Sequence, residues 1–309
     1  MKKRSSQSRA WLVAWIQCDS TSILRSSTTG SAAAQFKIAL VQMTVGTDKA
    51  ANLNKASSFS AEAAESGADV VVLPESFNAP YGNEYFKAFS EPPNGSSALA
   101  LQNAAKAHAI TLVGGSIIEK EEEELYNTCL IYDSSGHLIG KHRKVHLFDN
   151  DLPGKMAFKE SNTLNAGNHF TTFDTEWCKI GVGICHDLRF PEMATVYADH
   201  GCKMLIYPAA FNMSTGEAHF ELLTRSTALN QQVFVAVCGP ARDPGASYVS
   251  WGHSMVADPW GTVISSANEE ETIVYADIDL SKVNQVKTTI PISFQRRLDM
   301  YKTVCTAIN

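Results

Sequence analysis

Short apolar runs alternate with helix-like segments from Phe36 onward, and this alternation is the main structural signal in the sequence. The runs predicted to be strands are 37–43, 69–74, 110–117, 126–132, 179–184, 203–207, 233–238, 249–257 and 272–278. The segments with helical patterns are 52–66, 96–108, 191–200 and 217–231, followed by a polar helical tail. The run 69–74 is apolar almost throughout, which is typical of strands covered on both faces.

The alternation continues without a linker, an internal repeat or a low-complexity tract. Strands and helices that alternate in this way are typical of sheets covered by helices. We therefore predict one α/β domain over residues 36–309. The acidic run 119–124 is predicted to be a solvated hairpin tip.

Charge divides the chain into a basic leader and an acidic body. Residues 1–35 contain five Lys or Arg residues and one acid, whereas the whole chain of 309 residues has a formal net charge of −6. The leader is also rich in Ser and Thr, a composition typical of organelle transit peptides. A leader without any function fits this composition equally well. The acidic body argues against a nucleic-acid partner.

The seven cysteines form no CxxC pair and are odd in number, which fits neither a disulfide framework nor a zinc site. We therefore predict a reducing compartment, the cytoplasm, or a mitochondrion or other organelle if residues 1–35 act as a transit peptide. No stretch reaches the roughly 20 apolar residues of a membrane-spanning helix, so no membrane partner is expected.

Three segments place a reactive side chain directly after a predicted strand, where α/β sheets collect their functional sites. Glu75 follows the strand 69–74, and a carboxylate there has to be exposed, paired or functional. Lys144 belongs to a basic run at 141–148, in which charge repulsion favours turning one cation inward toward an acid. Cys185 follows the strand 179–184 shortly before a predicted helix. This strand–elbow–helix arrangement presents a nucleophile and leaves the next backbone N–H for an oxyanion.

Each segment alone also fits an ordinary structural role: a rim or helix-capping acid, a solvated basic loop, and an inert buried cysteine. Together they supply a nucleophile, a base and a cation, which is the set that acyl transfer requires. The GxSxG and HExxH motifs of serine hydrolases and zinc proteases are absent from the sequence. Neither a metal nor a cofactor is expected.

In their order and spacing these motifs resemble the nitrilase superfamily over residues 36–301, and within it the ω-amidase branch. The Glu–Lys–Cys triad of that family corresponds to Glu75 in LPESF, Lys144 in HRKVHLFD and Cys185 in GICHDLRFPE, and a second family glutamate corresponds to Glu160. The resemblance implies a four-layer α-β-β-α sandwich in a single domain and an assembly of at least a homodimer. It also implies hydrolysis of the terminal amide of 2-oxoglutaramate or 2-oxosuccinamate, small molecules, through a thioester on Cys185.

The ω-amidase branch is indicated by the segments 207–216, 239–243 and 247–254, while two positions depart from the family pattern. His186 stands where the family often has Tyr, and 217–220 reads EAHF instead of PAHW. His186 keeps its backbone N–H, but its side chain changes the polarity of the pocket. The further residues predicted to bind or enclose the substrate are Tyr81, His146, Phe211 and Arg242, with Arg242 fitting a structural ion pair equally well.

Other functions stay open at this point. A deaminated-glutathione amidase or an N-carbamoyl-amine hydrolase of the same superfamily would use the same triad. A non-catalytic scaffold is less well supported because all four catalytic positions of the family are filled. Nucleic-acid binding through residues 141–144 is weaker still, given the net charge of −6.

Overall fold

The computed structural model describes residues 35–152 and 156–308. Residues 1–34 of the predicted leader lie outside the described residues, and Gln35 begins the first strand. The strands are β1 (Gln35–Gln42), β2 (Val70–Val72), β3 (Thr111–Val113), β4 (Ile117–Glu121), β5 (Glu124–Tyr132), β6 (Leu138–Arg143), β7 (Asp149–Leu152), β8 (Met156–Lys159), β9 (Thr171–Asp174), β10 (Lys179–Val182), β11 (Met204–Pro208), β12 (Phe234–Cys238), β13 (Met255–Ala257), β14 (Val263–Ser266) and β15 (Thr272–Asp279).

The helices occupy most of the segments predicted to be helical. They are α1 (Lys49–Glu65), α2 (Asn83–Phe89), α3 (Ser96–His108), α4 (Pro191–Asp199), α5 (Met213–Gln231), α6 (Ser281–Thr289) and α7 (Ile292–Gln295), with 3-10 turns at Glu160–Asn162 and Cys185–Arg189. None of the helices among the described residues is long and apolar enough to cross a membrane.

Two sheets form the centre of the fold. The first has the strand order β15-β1-β2-β3-β5-β4 with β6 paired to β5, and the second has the order β14-β13-β12-β11-β10-β9. Strands β1, β2 and β3 are parallel, and so are β10, β11 and β12. The carboxyl ends of parallel strands meet at one edge of a sheet. The segment that follows β2 therefore lies at this edge of the first sheet, and the segment that follows β10 lies at this edge of the second.

Alternation along β1 explains the layers. Successive side chains of a strand point to opposite faces of the sheet. Ile38 and Leu40 pack with residues of the second sheet such as Val182, whereas Ala39 and Val41 pack beneath α1 and α3. Helices α4 and α5 cover the outer face of the second sheet. The four-layer α-β-β-α sandwich is therefore confirmed.

Four local predictions differ from the structure. The single strand predicted at 110–117 is divided into β3 and the start of β4. The strand predicted at 249–257 starts only at Met255, because Gly252 and His253 have positive φ angles of 75° and 57° that break an extended ladder. The helical tail ends at Gln295, and no helix follows among the described residues up to 308. Glu119 was expected at a solvated tip, but it is buried beneath two cations.

Candidate active site

Glu75 lies just beyond the end of β2, where the chain turns sharply away from the sheet. Ser76 has a positive φ of 55°, and its N–H donates to Ser116 Oγ at 2.9 Å, which holds this turn. The Glu75 carboxylate is buried, and its Oε1 accepts hydrogen bonds from Asn127 Nδ2 at 2.8 Å and Lys144 Nζ at 2.9 Å. Its Oε2 is buried without a nitrogen or oxygen donor among the described residues, so this oxygen is free for a reacting group.

Cys185 occupies a strained elbow after β10, as the first residue of the 3-10 turn that leads to α4. Its φ of 48° is left-handed, a conformation that costs a non-glycine residue about 1–3 kcal/mol. Gly183 permits the close packing beneath the elbow, since a Cβ there would lie 2.6 Å from the ring of Tyr207. The predicted strand–elbow arrangement is confirmed, and it brings the Cys185 thiol into hydrogen-bonding contact with Glu75.

Alternation along β6 explains which cation of the basic run turns inward. Lys141 and Arg143 both bind Glu119, with shortest distances of 3.0 and 2.8 Å. Lys144 is the next residue after β6, so its side chain lies on the opposite face from those of Lys141 and Arg143. It is fully buried. The expectation that one cation turns toward an acid is confirmed at Lys144.

Lys144 lies between two carboxylates. Its Nζ is 2.9 Å from Glu75 Oε1, and it is 3.0 and 2.9 Å from the two carboxylate oxygens of Glu160. Burial alone would lower the pKa of Lys144, but the carboxylates of Glu160 and Glu75 outweigh it and hold this pKa above the usual value. The site therefore contains a fixed, desolvated positive charge.

The pKa values of Glu75 and Cys185 are both raised in this site. Burial raises the pKa of Glu75, and Glu160 adds to this effect while Lys144 opposes it. Burial also raises the pKa of Cys185 well above its usual value, and the Glu75 carboxylate raises it further. The resting site thus favours a thiol over a thiolate, next to a carboxylate that is more basic than usual.

Asp187 joins the Cys185 elbow to the segment after Lys144. Its Oδ2 accepts from Ile184 N–H at 2.9 Å and lies 3.0 Å from His142 Nε2. Its Oδ1 accepts from His146 N–H at 2.9 Å and lies 2.7 Å from the His146 ring. Burial opposes ionisation, but these hydrogen bonds hold the pKa of Asp187 far below its usual value. The carboxylate therefore fixes the distance between the two catalytic segments.

A small pocket opens at the elbow. It is lined by Phe148, Cys185, His186, Arg189, Ala210, Phe211, Thr215 and Tyr248. A neighbouring cavity of about 40 Å³ contains Glu75 and Tyr81 in its wall and shares Tyr248 with the first. Cys185 and Glu75 therefore line two adjoining pockets, and the wall of the pocket at Cys185 is mainly apolar.

The other residues predicted to bind substrate have different surroundings. The Tyr81 hydroxyl donates to Glu160 Oε1 at 2.8 Å, and the His146 ring binds Asp187 and stacks on Phe190. Arg242 donates to the Trp251 carbonyl at 2.9 Å. His186 and Phe211 line the pocket with Cys185. The structure thus brings Glu75, Lys144, Glu160 and Cys185 together, while Tyr81, His146 and Arg242 each make a hydrogen bond to another protein group. The buried Nε of Arg242 has no partner among the described residues.

Four residues of the site were not predicted from the sequence: Asn127, Asp187, Arg189 and Tyr248. Asn127 carried the clearest signal, because it is a polar residue within the apolar strand β5. Arg189 is a cation four residues beyond the nucleophile, in the same motif. Tyr248 lies in the segment 247–254 that indicated the ω-amidase branch, but its place in the pocket was not predicted because it reaches the pocket from a distant loop. Among the described residues, no cluster of three or more His, Cys, Asp or Glu residues could hold a metal ion.

Comparison with known families identifies the class of protein. The family model described as carbon-nitrogen hydrolase matches residues 37–288, so the chain belongs to this family, the nitrilase superfamily expected from the motifs.

Individual relatives narrow this class. "Omega-amidase NIT2" of Mus musculus is 52% identical over 266 residues, 86% of this chain and 96% of the mouse protein. The protein of the same name from Danio rerio is 53% identical over 267 residues, 86% of this chain and 96% of the fish protein. A crystal structure from Saccharomyces cerevisiae, of a member of branch 10 of the nitrilase superfamily, is 42% identical. It superimposes with a TM-score of 0.78 and covers 85% of this chain and 97% of the yeast chain.

Proposed function

We propose that this chain is an ω-amidase that hydrolyses the terminal amide of a 2-oxo dicarboxylic acid monoamide, such as 2-oxoglutaramate or 2-oxosuccinamate, to the free acid and ammonia. The observation that carries the proposal is the convergence of the Cys185 thiol, the Glu75 carboxylate and the Lys144 ammonium in one buried site. The identity of about half to relatives named as omega-amidases supports the substrate class.

In the first half-reaction, Cys185 Sγ attacks the amide carbonyl carbon while Glu75 accepts the thiol proton. A base is most effective when its pKa approaches the working pH, and burial moves the pKa of Glu75 in that direction. The Lys144 ammonium and the backbone N–H of His186 stabilise the negative oxygen of the tetrahedral intermediate. Protonated Glu75 then gives its proton to the leaving nitrogen, so that ammonia departs and a thioester remains on Cys185.

In the second half-reaction, Glu75 removes a proton from water, which attacks the thioester carbonyl. The same two donors stabilise the second oxyanion, and Cys185 leaves as the thiol with the proton returned from Glu75. Glu160 does not take part in the proton transfers. It holds Lys144 at a fixed distance through charge-assisted hydrogen bonds.

The carboxylate at the far end of the substrate needs a cation, and we propose Arg189 for this role. Arg189 is partly buried in the same pocket as Cys185 and lies over the ring of Phe211, with its Cζ 5.0 Å from the ring centroid. Its Nη1 is 3.2 Å from His219 Nδ1, and no described carboxylate pairs with it. Burial lowers the pKa of Arg189, which reflects the cost of a charge without a counter-ion, and a bound carboxylate would supply that counter-ion.

The proposed function is tested by ammonia release from 2-oxosuccinamate together with mass spectrometry of the quenched enzyme. We expect turnover by the wild type, an acyl adduct on Cys185, and a loss of about 10⁴-fold or more in Cys185→Ala. Cys305→Ala is the matched control, because Cys305 lies outside the site. Retained turnover in Cys185→Ala would refute the mechanism. Turnover only of N-carbamoyl amines or deaminated glutathione would refute the substrate class.

The homodimer and the cytoplasmic or organellar location stay predictions from the sequence. Size-exclusion chromatography with light scattering measures the first. Imaging of the full chain and of a variant that starts at residue 36 measures the second.

A further inference from the structure

The His186 side chain lines the pocket at Cys185 and has a buried nitrogen without a hydrogen-bond partner among the described residues. Its ring lies between two phenylalanines, with centroid distances of 5.3 Å to Phe148 and 5.5 Å to Phe190. It lines the same pocket as Cys185 and Arg189. The Nδ1 atom is buried and has no hydrogen-bond partner among the described residues. Such an atom is costly in a folded protein, so it is expected to have a partner in the working state.

His186 is neutral under ordinary conditions. Burial lowers its pKa to about 4, and the positive charges of Lys144 and Arg189 contribute to the shift. A neutral imidazole carries one N–H and one lone pair, so the tautomer with the proton on Nδ1 offers a hydrogen bond without adding charge. His186 can therefore donate to a ligand beside Arg189 without repelling that cation.

The other polar side chains of the pocket have already used their hydroxyl protons. Thr215 Oγ1 donates to Asn212 Oδ1 at 3.0 Å, and the Tyr248 hydroxyl donates to the Ala210 carbonyl at 2.6 Å. The remaining lining side chains, apart from Cys185, are apolar. His186 and Arg189 are therefore the two donors of this pocket wall that are available to a substrate.

Two neighbouring donors of this kind fit a 2-oxo acid. In such a molecule a carbonyl carbon is bonded directly to the carboxylate carbon, so the acceptor oxygens of the two groups are only three bonds apart. The guanidinium of Arg189 suits the carboxylate, because it donates several hydrogen bonds and carries the opposite charge. The neutral His186 suits the uncharged carbonyl oxygen.

We propose that His186 Nδ1–H donates to the 2-oxo group of the substrate, and that this contact makes the enzyme prefer 2-oxo monoamides to the corresponding monoamides without the oxo group. The proposal rests on the proposed function and specifies how its substrate is selected. It assigns a specificity role to the position at which this chain departs from the common Tyr.

The test compares 2-oxosuccinamate with succinamate, which differ only in the C2 carbonyl. The measured quantity is the ratio of their kcat/KM values in the full-length enzyme. His186→Phe and His186→Gln both remove the donor at the Nδ1 position, and we expect each to lower the ratio about three- to tenfold, as for the loss of one neutral hydrogen bond. His186→Asn can place an amide N–H at that position and should retain most of the ratio.

Arg189→Met is the comparison variant. It should lower kcat/KM for both compounds, because both carry the carboxylate, and leave their ratio within about twofold. A wild-type ratio near one, or an unchanged ratio in both His186→Phe and His186→Gln, would overturn the role of His186 while leaving the proposed function intact. Failure of the wild type to release ammonia from either compound would overturn the proposed function itself.

Discussion

Lys144 contacts both carboxylate oxygens of Glu160, at 3.0 Å to Oε1 and 2.9 Å to Oε2, with both side chains fully buried. The same glutamate accepts the Tyr81 hydroxyl on Oε1 and the Phe148 N–H on Oε2, at 2.8 and 2.6 Å. Glu160 is thus anchored from two sides and holds the ammonium group against Glu75. A buried cation needs this arrangement, because a single displaced partner leaves its charge unbalanced.

Replacement of Glu160 by Gln is expected to lower kcat about 10²-fold and also to destabilise the folded protein, because it removes one anion from around a buried cation. The amide keeps the shape of the side chain but removes the charge that fixes Lys144, so the ammonium becomes a weaker donor to the oxyanion. Steady-state ammonia release and circular dichroism measure the two quantities. Tyr81→Phe is the matched control, since it removes only one neutral donor to Glu160. Its kcat should fall by less than about tenfold. Activity of Glu160→Gln within threefold of the wild type would contradict this role.

The pH dependence of kcat/KM is expected to report the ionisation of Glu75. Burial raises the pKa of this carboxylic acid above 4.5, and the proposed mechanism needs the deprotonated form. Activity should therefore fall as the pH decreases through a midpoint above 4.5, about tenfold for each pH unit below it. Ammonia release between pH 4 and 8, at pH values where circular dichroism shows a folded protein, gives the profile.

The controls for this profile are carboxylate variants. Glu75→Gln should lose about 10²–10⁴-fold in kcat/KM at pH 7. Glu62→Gln, on the exposed face of α1, should keep the wild-type profile. A midpoint at or below 4.5 in the wild type would show that burial does not control the base.

Loss of the Asp187 charge is expected to destabilise the protein strongly. Asn in its place leaves buried donors of His142 and of the Ile184 backbone without their anion, which typically costs about 3–5 kcal/mol. His146→Phe is the matched control. It removes one hydrogen bond but keeps an aromatic ring on Phe190, so its cost should be about 1 kcal/mol. Urea unfolding at pH 7 measures the loss of unfolding free energy in both variants. Equal losses in Asp187→Asn and His146→Phe would contradict the role of Asp187 in joining the two segments.

The hydrophobic pattern predicted most elements because burial and alternation are local properties of the chain. Helix α3 has the predicted bounds, and the run 69–74 contains β2. The prediction was wrong for Glu119, where a local cluster of acids looked solvated. Two cations from β6, more than 20 residues away, bind this carboxylate, and strand pairing between β5 and β6 is what brings them there.

The alternation of strands and helices predicted the α/β class, and the order and spacing of the motifs carried the resemblance to the family, because each motif is a local stretch of sequence. What the reactive residues of these motifs face was decided by the packing of the two sheets. Arg189 and Tyr248 are 59 residues apart in the chain, yet they line one pocket with Cys185. Tyr81, His146 and Arg242 carry suitable chemistry, but in the folded chain each makes a hydrogen bond to a protein group: Glu160, Asp187 and the Trp251 carbonyl, respectively. Buried polar groups bind whichever partner the tertiary structure places beside them, and that choice is not encoded in any single segment.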